Sequence, residues 1–154
     1  MVNSSGSDKA KIVLFNIENL RYALYLSVVE RVILAVEIVP LPKAPDIILG
    51  VVNFQGAIIP VIDIRKRFRL PTREISLEDQ FIIAKTAKRF VILVVDSVSG
   101  VFELDKYQIV DTTEEFPFTT YLSGITKIDT NIVLINDLEK FLSLDEEQIL
   151  GEIL

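Results

Sequence analysis

The chain of 154 residues contains no cysteine and no histidine. Without thiols there is no disulfide framework and no thiolate nucleophile, and without imidazole the common catalytic triads and zinc sites cannot be assembled. General acid–base work would fall to Asp, Glu, Lys or Tyr with strongly displaced pKa values. An enzyme would have to work without the usual parts, and no cofactor or metal is expected. Apolar runs are short, none reaching about eighteen residues, so no membrane insertion is expected. Cationic surplus is also missing: 16 Lys and Arg stand against 22 Asp and Glu, a net charge of −6, which argues against a general nucleic-acid binder. The opening "MVNSSGSDKA" lacks the basic and apolar regions of a signal peptide and reads as a disordered arm over residues 1–10. The lack of cysteine fits a reducing cytoplasm.

What is present is apolar and strand-forming. Half of the residues are hydrophobic and a quarter charged, which excludes wholesale disorder and leaves apolar side chains to spare for an interaction surface. "KIVLFNI" and "LRYALYL" flank Glu18-Asn19 as a hairpin. "SVVERV" reads as a helical turn or bend, and "ILAVEIV" as a strand stopped by Pro40, Pro42 and Pro45. "PDIIL" reads as a turn of helix, followed by "VVNFQ", a turn at Gly56, "AIIPVID", and a short helix "IRKRF" capped by Asp63. Leu70 to Asp79 is a polar connecting loop. The strands "QFIIAKT", "RFVILVVD" and "VSGVFEL" follow, then a break at Pro117. "GITKI" and "IVLIN" form a hairpin around Asp129, and a helix over about 137–153 carries Leu138, Phe141, Leu142 and Leu144 on its apolar side.

An internal repeat organises these segments. A shift of 74 residues places Gly50 on Gly124, Val51 on Ile125, Ile58 on Ile132, Val61 on Ile135, Asp63 on Asp137 and Lys66 on Lys140. A looser match at an offset of 68 sets Arg21 on Arg89. The predicted fold is mainly β: two packed five-stranded small β-barrels, SH3-like or OB-like, arising by duplication, with a C-terminal helix. The units span about 11–70 and 80–143 of one domain over 11–154, with room for strand exchange between them. Small units share a core, and barrel closure removes exposed strand edges.

Few residues invite a chemical reading. Asp63 and Asp137 each end a strand and open a helix, and capping explains them better than a carboxylate dyad. The basic run Arg65 to Arg69, extended by Arg73, reads as a solvated helix face. The alternative is a nucleic-acid-binding small barrel that uses this patch. The acidic tail packs on its own barrel or serves as a docking helix. Turn chemistry accounts for Asn53 and Gly56 but not for Gln55, which is expected to face a partner.

The segments "YALYLSVVERV", "PLPKAPDIILGVVNFQGAIIPVIDIRKRF", "VILVVDSVSGVFEL" and "YLSGITKIDTNIVLINDLEKFL" resemble the CheW-like coupling domain of bacterial chemotaxis, from about Lys11 to Ser143. The resemblance implies paired five-stranded barrels and a cytoplasmic adaptor recruited to membrane-associated receptor arrays. Its implied partners are the regulatory domain of a CheA-type histidine kinase and the cytoplasmic tip of chemoreceptors, with no nucleic acid. It also implies a partner-binding groove at Val29, Arg31, Gly50, Gln55, Gly56 and Ser97. Members of the family usually carry an acidic residue where this chain has Arg31 and an arginine where it has Gln55. That departure reverses one charge and removes another, and so implies a divergent receptor or kinase.

Overall fold

The structure, a computed structural model, describes residues 8–111 and 121–154. The expected break at Pro117 and most of the expected N-terminal arm lie outside the described residues, and the first strand already begins at Lys9. Strands β1 (Lys9–Ile17), β2 (Leu20–Tyr25), β3 (Val29–Leu34), β4 (Ile48–Phe54) and β5 (Ala57–Ile62) lead to a short helix, α1 (Ile64–Arg67). Strands β6 (Gln80–Lys85), β7 (Phe90–Val95), β8 (Ser97–Asp105), β9 (Val110–Asp111), β10 (Leu122–Ile128) and β11 (Asn131–Asn136) follow, and α2 (Leu144–Ile153) closes the chain.

These strands form two sheets, one of six strands in the order β8-β1-β2-β11-β10-β9 and one of five in the order β3-β6-β7-β5-β4. The chain lays down β1 and β2 in the first, builds the whole of the second, and returns for β8 to β11. It crosses between them at a 3₁₀ turn, Leu26–Val28, and at Asp96. Each sheet thus takes strands from both sides of the Leu70–Asp79 loop.

Both sheets curl and close in the same way. In the five-stranded sheet the chain beyond β3 returns to β4, where Val39 and Val51 exchange backbone hydrogen bonds of 2.9 and 2.8 Å. In the six-stranded sheet β9, the continuation of β8, pairs Val110 with Ile125 of β10. A register shift falls just before Gly50 in one hairpin and just before Gly124 in the other. The Asp63 amide donates to the Ile47 carbonyl, and the Asp137 amide to that of Tyr121, both at 2.8 Å. Both Asp side chains cap helical starts, accepting from the Lys66 amide at 3.2 Å and the Glu139 amide at 3.0 Å. The 74-residue repeat is therefore a repeat of closure and capping.

The looser match is one residue out. Val61 pairs with Ile92 and Ile135 pairs with Ala23, so the shift of 74 makes Ala23 the counterpart of Ile92, an offset of 69. One residue of register sends every side chain of a strand to the opposite face. The faces show which register holds. Ile12, Leu14, Ala23, Val133 and Ile135 fill the six-stranded barrel, and Phe81, Ile83, Ile92, Val52, Ile59 and Val61 fill the other. The alternate residues Phe15, Ile17, Tyr22, Leu24, Ile82, Ala84, Val91, Leu93 and Val95 meet between the barrels. β1, β2, β6 and β7 are thus buried on both faces, which explains their unbroken apolar runs.

Some local expectations are corrected. "ILAVEIV" contributes only its first residues to β3, because the chain leaves β6 after Leu34 and pairs again only at Val39. "PDIIL" makes a turn, with the Ile48 amide on the Pro45 carbonyl at 2.9 Å, and enters β4 directly. The expected helix over 137–153 is divided. A 3₁₀ turn over Leu138–Lys140 buries Leu138, Phe141 after it is buried too, and α2 starts afresh behind a Ser143–Glu146 capping box. Leu144 consequently points to solvent, 83% exposed.

The basic run is a solvated face only in part, at the exposed Lys66 and Arg69. Arg65 is buried between the sheets, where it bridges Glu18 of the β1–β2 turn and Asp96 at the crossing. Arg67 binds Glu146 of α2 at 2.6 Å, and Arg73 binds Asp79 and Asp96 at 2.7 Å each. Burial alone would raise the Asp79 carboxyl, but hydrogen bonds from Arg73 and the Ser76 amide, with the charges of Arg73 and Arg65, hold it below the usual range. At Asp96 burial is likewise outweighed, by Arg65, the Glu18 amide and Arg73; at Glu146, by the Ser143 amide and Arg67. Folded values lie below unfolded ones, so these groups stabilise the fold fully above about pH 4.5, and the contribution is lost as pH falls below about 4. The thermal midpoint should be nearly flat from pH 7 to 5 and should drop between about pH 4 and 2, with a shallower drop in Asp79→Asn. Equal slopes in the variant and the parent would contradict this assignment.

Candidate partner-binding site

The β4–β5 hairpin turns on Gln55 and Gly56, with φ of 51° and 86°. Positive φ at both central residues is the type I′ geometry that matches strand twist. The Gly56 amide donates to Asn53 Oδ1 at 3.1 Å, so the Asn, like the Gly, is there for the turn. Gln55 takes the left-handed position without being Gly or Asn, at a cost of roughly 1 kcal/mol, and its side chain is exposed at the tip.

Beside this tip runs the start of β3. Its ladder with β6 slips between Val29 and Arg31, leaving Glu30 as a bulge. Arg31 follows with its guanidinium over the Phe54 ring, 5.5 Å from the centroid. Since β3 and β4 are bridged only further along, at Val39–Val51, their near ends part and leave a cleft of about 200 Å³. Phe54, Ala57, Ile59, Ile83 and Phe90 line it, with Glu30, Arg31 and Gln55. Lys85 lies over the Phe90 ring, 5.3 Å from its centroid.

The structure brings some of the candidate residues together and separates others. Arg31 and Gln55 line one cleft, with Gly56 in the turn beside it. Val29 is half-buried at the head of β3 and packs on the core between the barrels. Gly50 is buried beneath the Val39 carbonyl. Ser97 belongs to the other sheet, where its hydroxyl accepts from Asn16 Nδ2 at 3.0 Å. Sequence reasoning did not single out Phe54, Phe90 or Lys85. The signal for Phe54 was its place within the "NFQG" turn segment.

Further exposed apolar side chains occupy matching places on the two barrels. Val39 and Val110 stand at the closures, 53% and 50% exposed, and Ile58 and Ile132 in the hairpins, 53% and 64% exposed. Among the described residues, no helix is long and apolar enough to cross a membrane.

Paired, interlocked small barrels with an apolar cleft and exposed apolar side chains at matching places fit a protein-interaction scaffold. The CheW-like domain model matches residues 11–146, and the chain belongs to that family of chemotaxis scaffold proteins. Among its relatives, the chemotaxis protein CheW of Klebsiella aerogenes is 28% identical over 146 residues, which is 93% of this chain and 87% of that one. The chemotaxis protein CheW of Thermotoga maritima is 28% identical over 132 residues, covering 86% and 87%. The crystal structure of the scaffolding protein TtCheW from Thermoanaerobacter tengcongensis superimposes with a TM-score of 0.81 at 31% identity, covering 89% of this chain and 94% of that one.

Proposed function

We propose that the protein is a non-catalytic adaptor that couples transmembrane chemoreceptors to a CheA-type histidine autokinase, working in the cytoplasm at the receptor array. The observation that carries this reading is the family match over residues 11–146, which takes in both barrels and the whole of the closure-and-cap repeat. The groove residues in this reading are Val29, Arg31, Gly50, Gln55, Gly56 and Ser97. Arg31, Gln55 and Gly56 make contact, while the buried Gly50 shapes the barrel that carries them. The nucleic-acid alternative loses most of its patch, because Arg65, Arg67 and Arg73 are each held by carboxylates of this same chain.

The test is calorimetric titration against the regulatory domain of the cognate CheA-type kinase. Saturable binding in the micromolar range is expected, and no heat at tens of micromolar would sink the proposal. A receptor tip from a family member with the usual acidic and arginine pair should bind weakly. Affinity should recover when Arg31→Glu and Gln55→Arg are combined, since like charges in contact cost several kcal/mol.

A further inference from the structure

The loop over residues 70–79 is ordered by its own charges. Both terminal nitrogens of Arg73 hold the buried Asp79 carboxylate, at 2.9 and 2.7 Å, and one of them also reaches Asp96. The Asp79 amide closes a turn onto the Ser76 carbonyl at 3.0 Å, and the Ser76 amide donates back to Asp79 Oδ2 at 2.8 Å. Leu77 takes the second position of this turn and is 90% exposed. Turn chemistry favours Gly, Pro, Asn, Asp or Ser in such places, and folding gains nothing from a leucine left in water. A large apolar side chain on so fixed a backbone has lost most of its freedom before any partner arrives.

Ile75, Ser76 and Leu77 line an open concavity of about 520 Å³ together with Ala35, Val36, Glu37 and Ile38, and none of these residues is cationic. It shares no lining residue with the Arg31–Gln55 cleft. Glu37, with Glu74 and Glu78 on either side of the Ile75–Leu77 stretch, is exposed, and none of the three forms an ion pair among the described residues. The backbone along the concavity is open as well. The Ala35 amide reaches the Asp79 carbonyl at 3.1 Å, and Val39 pairs with Val51. Between them the amides and carbonyls of Val36, Glu37 and Ile38 have no hydrogen-bond partner among the described residues. We propose that this face takes an extended segment of a partner protein in which apolar side chains alternate with Lys or Arg. Its main chain bonds to the open backbone of Val36 to Ile38, its apolar side chains pack against Ile75 and Leu77, and its cations meet the three carboxylates. The acidic rim repels nucleic-acid phosphates and anionic headgroups, and it would set like charges together if a second copy docked by the same face.

The probe is the end-blocked peptide Lys-Leu-Lys-Val-Lys, titrated into the isotope-labelled full chain and followed by NMR amide shifts. Saturable shifts centred on Val36 to Ile38 and Ile75 to Glu78 are expected below about 1 mM peptide. Leu77→Ser should weaken binding by about fivefold or more, and Glu37→Lys by about threefold. Both positions are exposed, so the thermal midpoint should not move in either variant. N-methylation of the peptide at Leu and Val blocks one edge of the strand, and at the central Lys the other, so one of the two should lose about fivefold and the other little. Equal affinity for Glu-Leu-Glu-Val-Glu, full affinity in both N-methyl peptides, or no shift at about 5 mM overturns the proposal. Displacement of the peptide by the regulatory domain of the cognate CheA-type kinase also overturns it, by assigning the face to the kinase contact. Shifts at Leu77 that follow protein concentration without peptide do the same, by assigning the face to a second copy.

Discussion

Replacing Arg65 by alanine should cost about 3 kcal/mol at pH 7, which for a chain of this size lowers the thermal midpoint by about 6–12 °C. The side chain is 9% exposed, and it joins three parts of the molecule. It donates to Glu18 in the turn of the six-stranded sheet, to Asp96 where the chain passes between sheets, and to the Pro71 carbonyl in the connecting loop. Removing one partner of such a cluster leaves the others desolvated, and that accounts for most of the penalty. The magnitude falls at the low end because Glu18 is 45% exposed and Asp96 retains Arg73. Arg65 also helps to hold the Asp96 carboxyl below its ordinary value, so without it that carboxyl moves up and the pH-dependent part of its contribution shrinks. The deficit of Arg65→Ala should therefore be larger at pH 7 than at pH 3. Arg65→Met, which keeps the apolar stem, should lose less. A deficit independent of pH, or below about 1 kcal/mol, would place Arg65 among ordinary surface pairs.

The same residue marks a limit of what the sequence discloses. Glu18 lies 47 positions from Arg65, and Glu146 lies 79 from Arg67. A local reading sees five consecutive residues with four positive charges and infers a basic face, since nothing nearby neutralises them. Only the topology, which folds β1–β2 against strands from the other side of the chain, supplies the carboxylates. Register was obscured for a related reason. Strands buried on both faces carry no alternation to phase them, so "RFVILV" fits "RYALYL" equally well one residue either way. The division of the C-terminal helix was legible in principle, since Ser143 and Glu146 have capping-box spacing. A continuous apolar side drawn from Leu138 to Leu144 masked it.

What did emerge from the sequence rests on hard steric or hydrogen-bonding demands. Gly50 with Gly124 and Asp63 with Asp137 stood out because few other residues fill those positions. At the cleft the sequence offered Gln55 through its poor fit to turn chemistry, and Arg31 through resemblance. It offered no route to their shared setting, because Arg31 and Phe54 meet across a barrel mouth that is bridged only at Val39–Val51.

Gly50 provides the sharper test of how the barrel is built. A β-carbon placed there would lie 2.3 Å from the Val39 carbonyl oxygen and 2.7 Å from Ile38 Cγ2, far inside contact distance. That oxygen cannot yield cheaply, since it accepts from the Val51 amide in the bridge that closes the barrel. The backbone φ of 153° adds a conformation that side-chain-bearing residues rarely adopt. Overpacking and strain together predict a loss of about 3–5 kcal/mol for Gly50→Ala. At the repeat-related Gly124 the nearest atom is a methyl, Ile109 Cγ2, also at 2.7 Å, while the Val110 carbonyl stands back at 3.3 Å. A side chain can turn where a hydrogen-bonded carbonyl cannot, so Gly124→Ala should cost about 1–2 kcal/mol. Urea denaturation of the two variants measures the difference, and equal losses would refute the carbonyl as its source. The outcome also bears on how the groove is read. A Gly50 variant that loses its partners together with its fold acts through barrel closure. Arg31→Glu, which leaves the barrel intact, is then the variant that reports on contact.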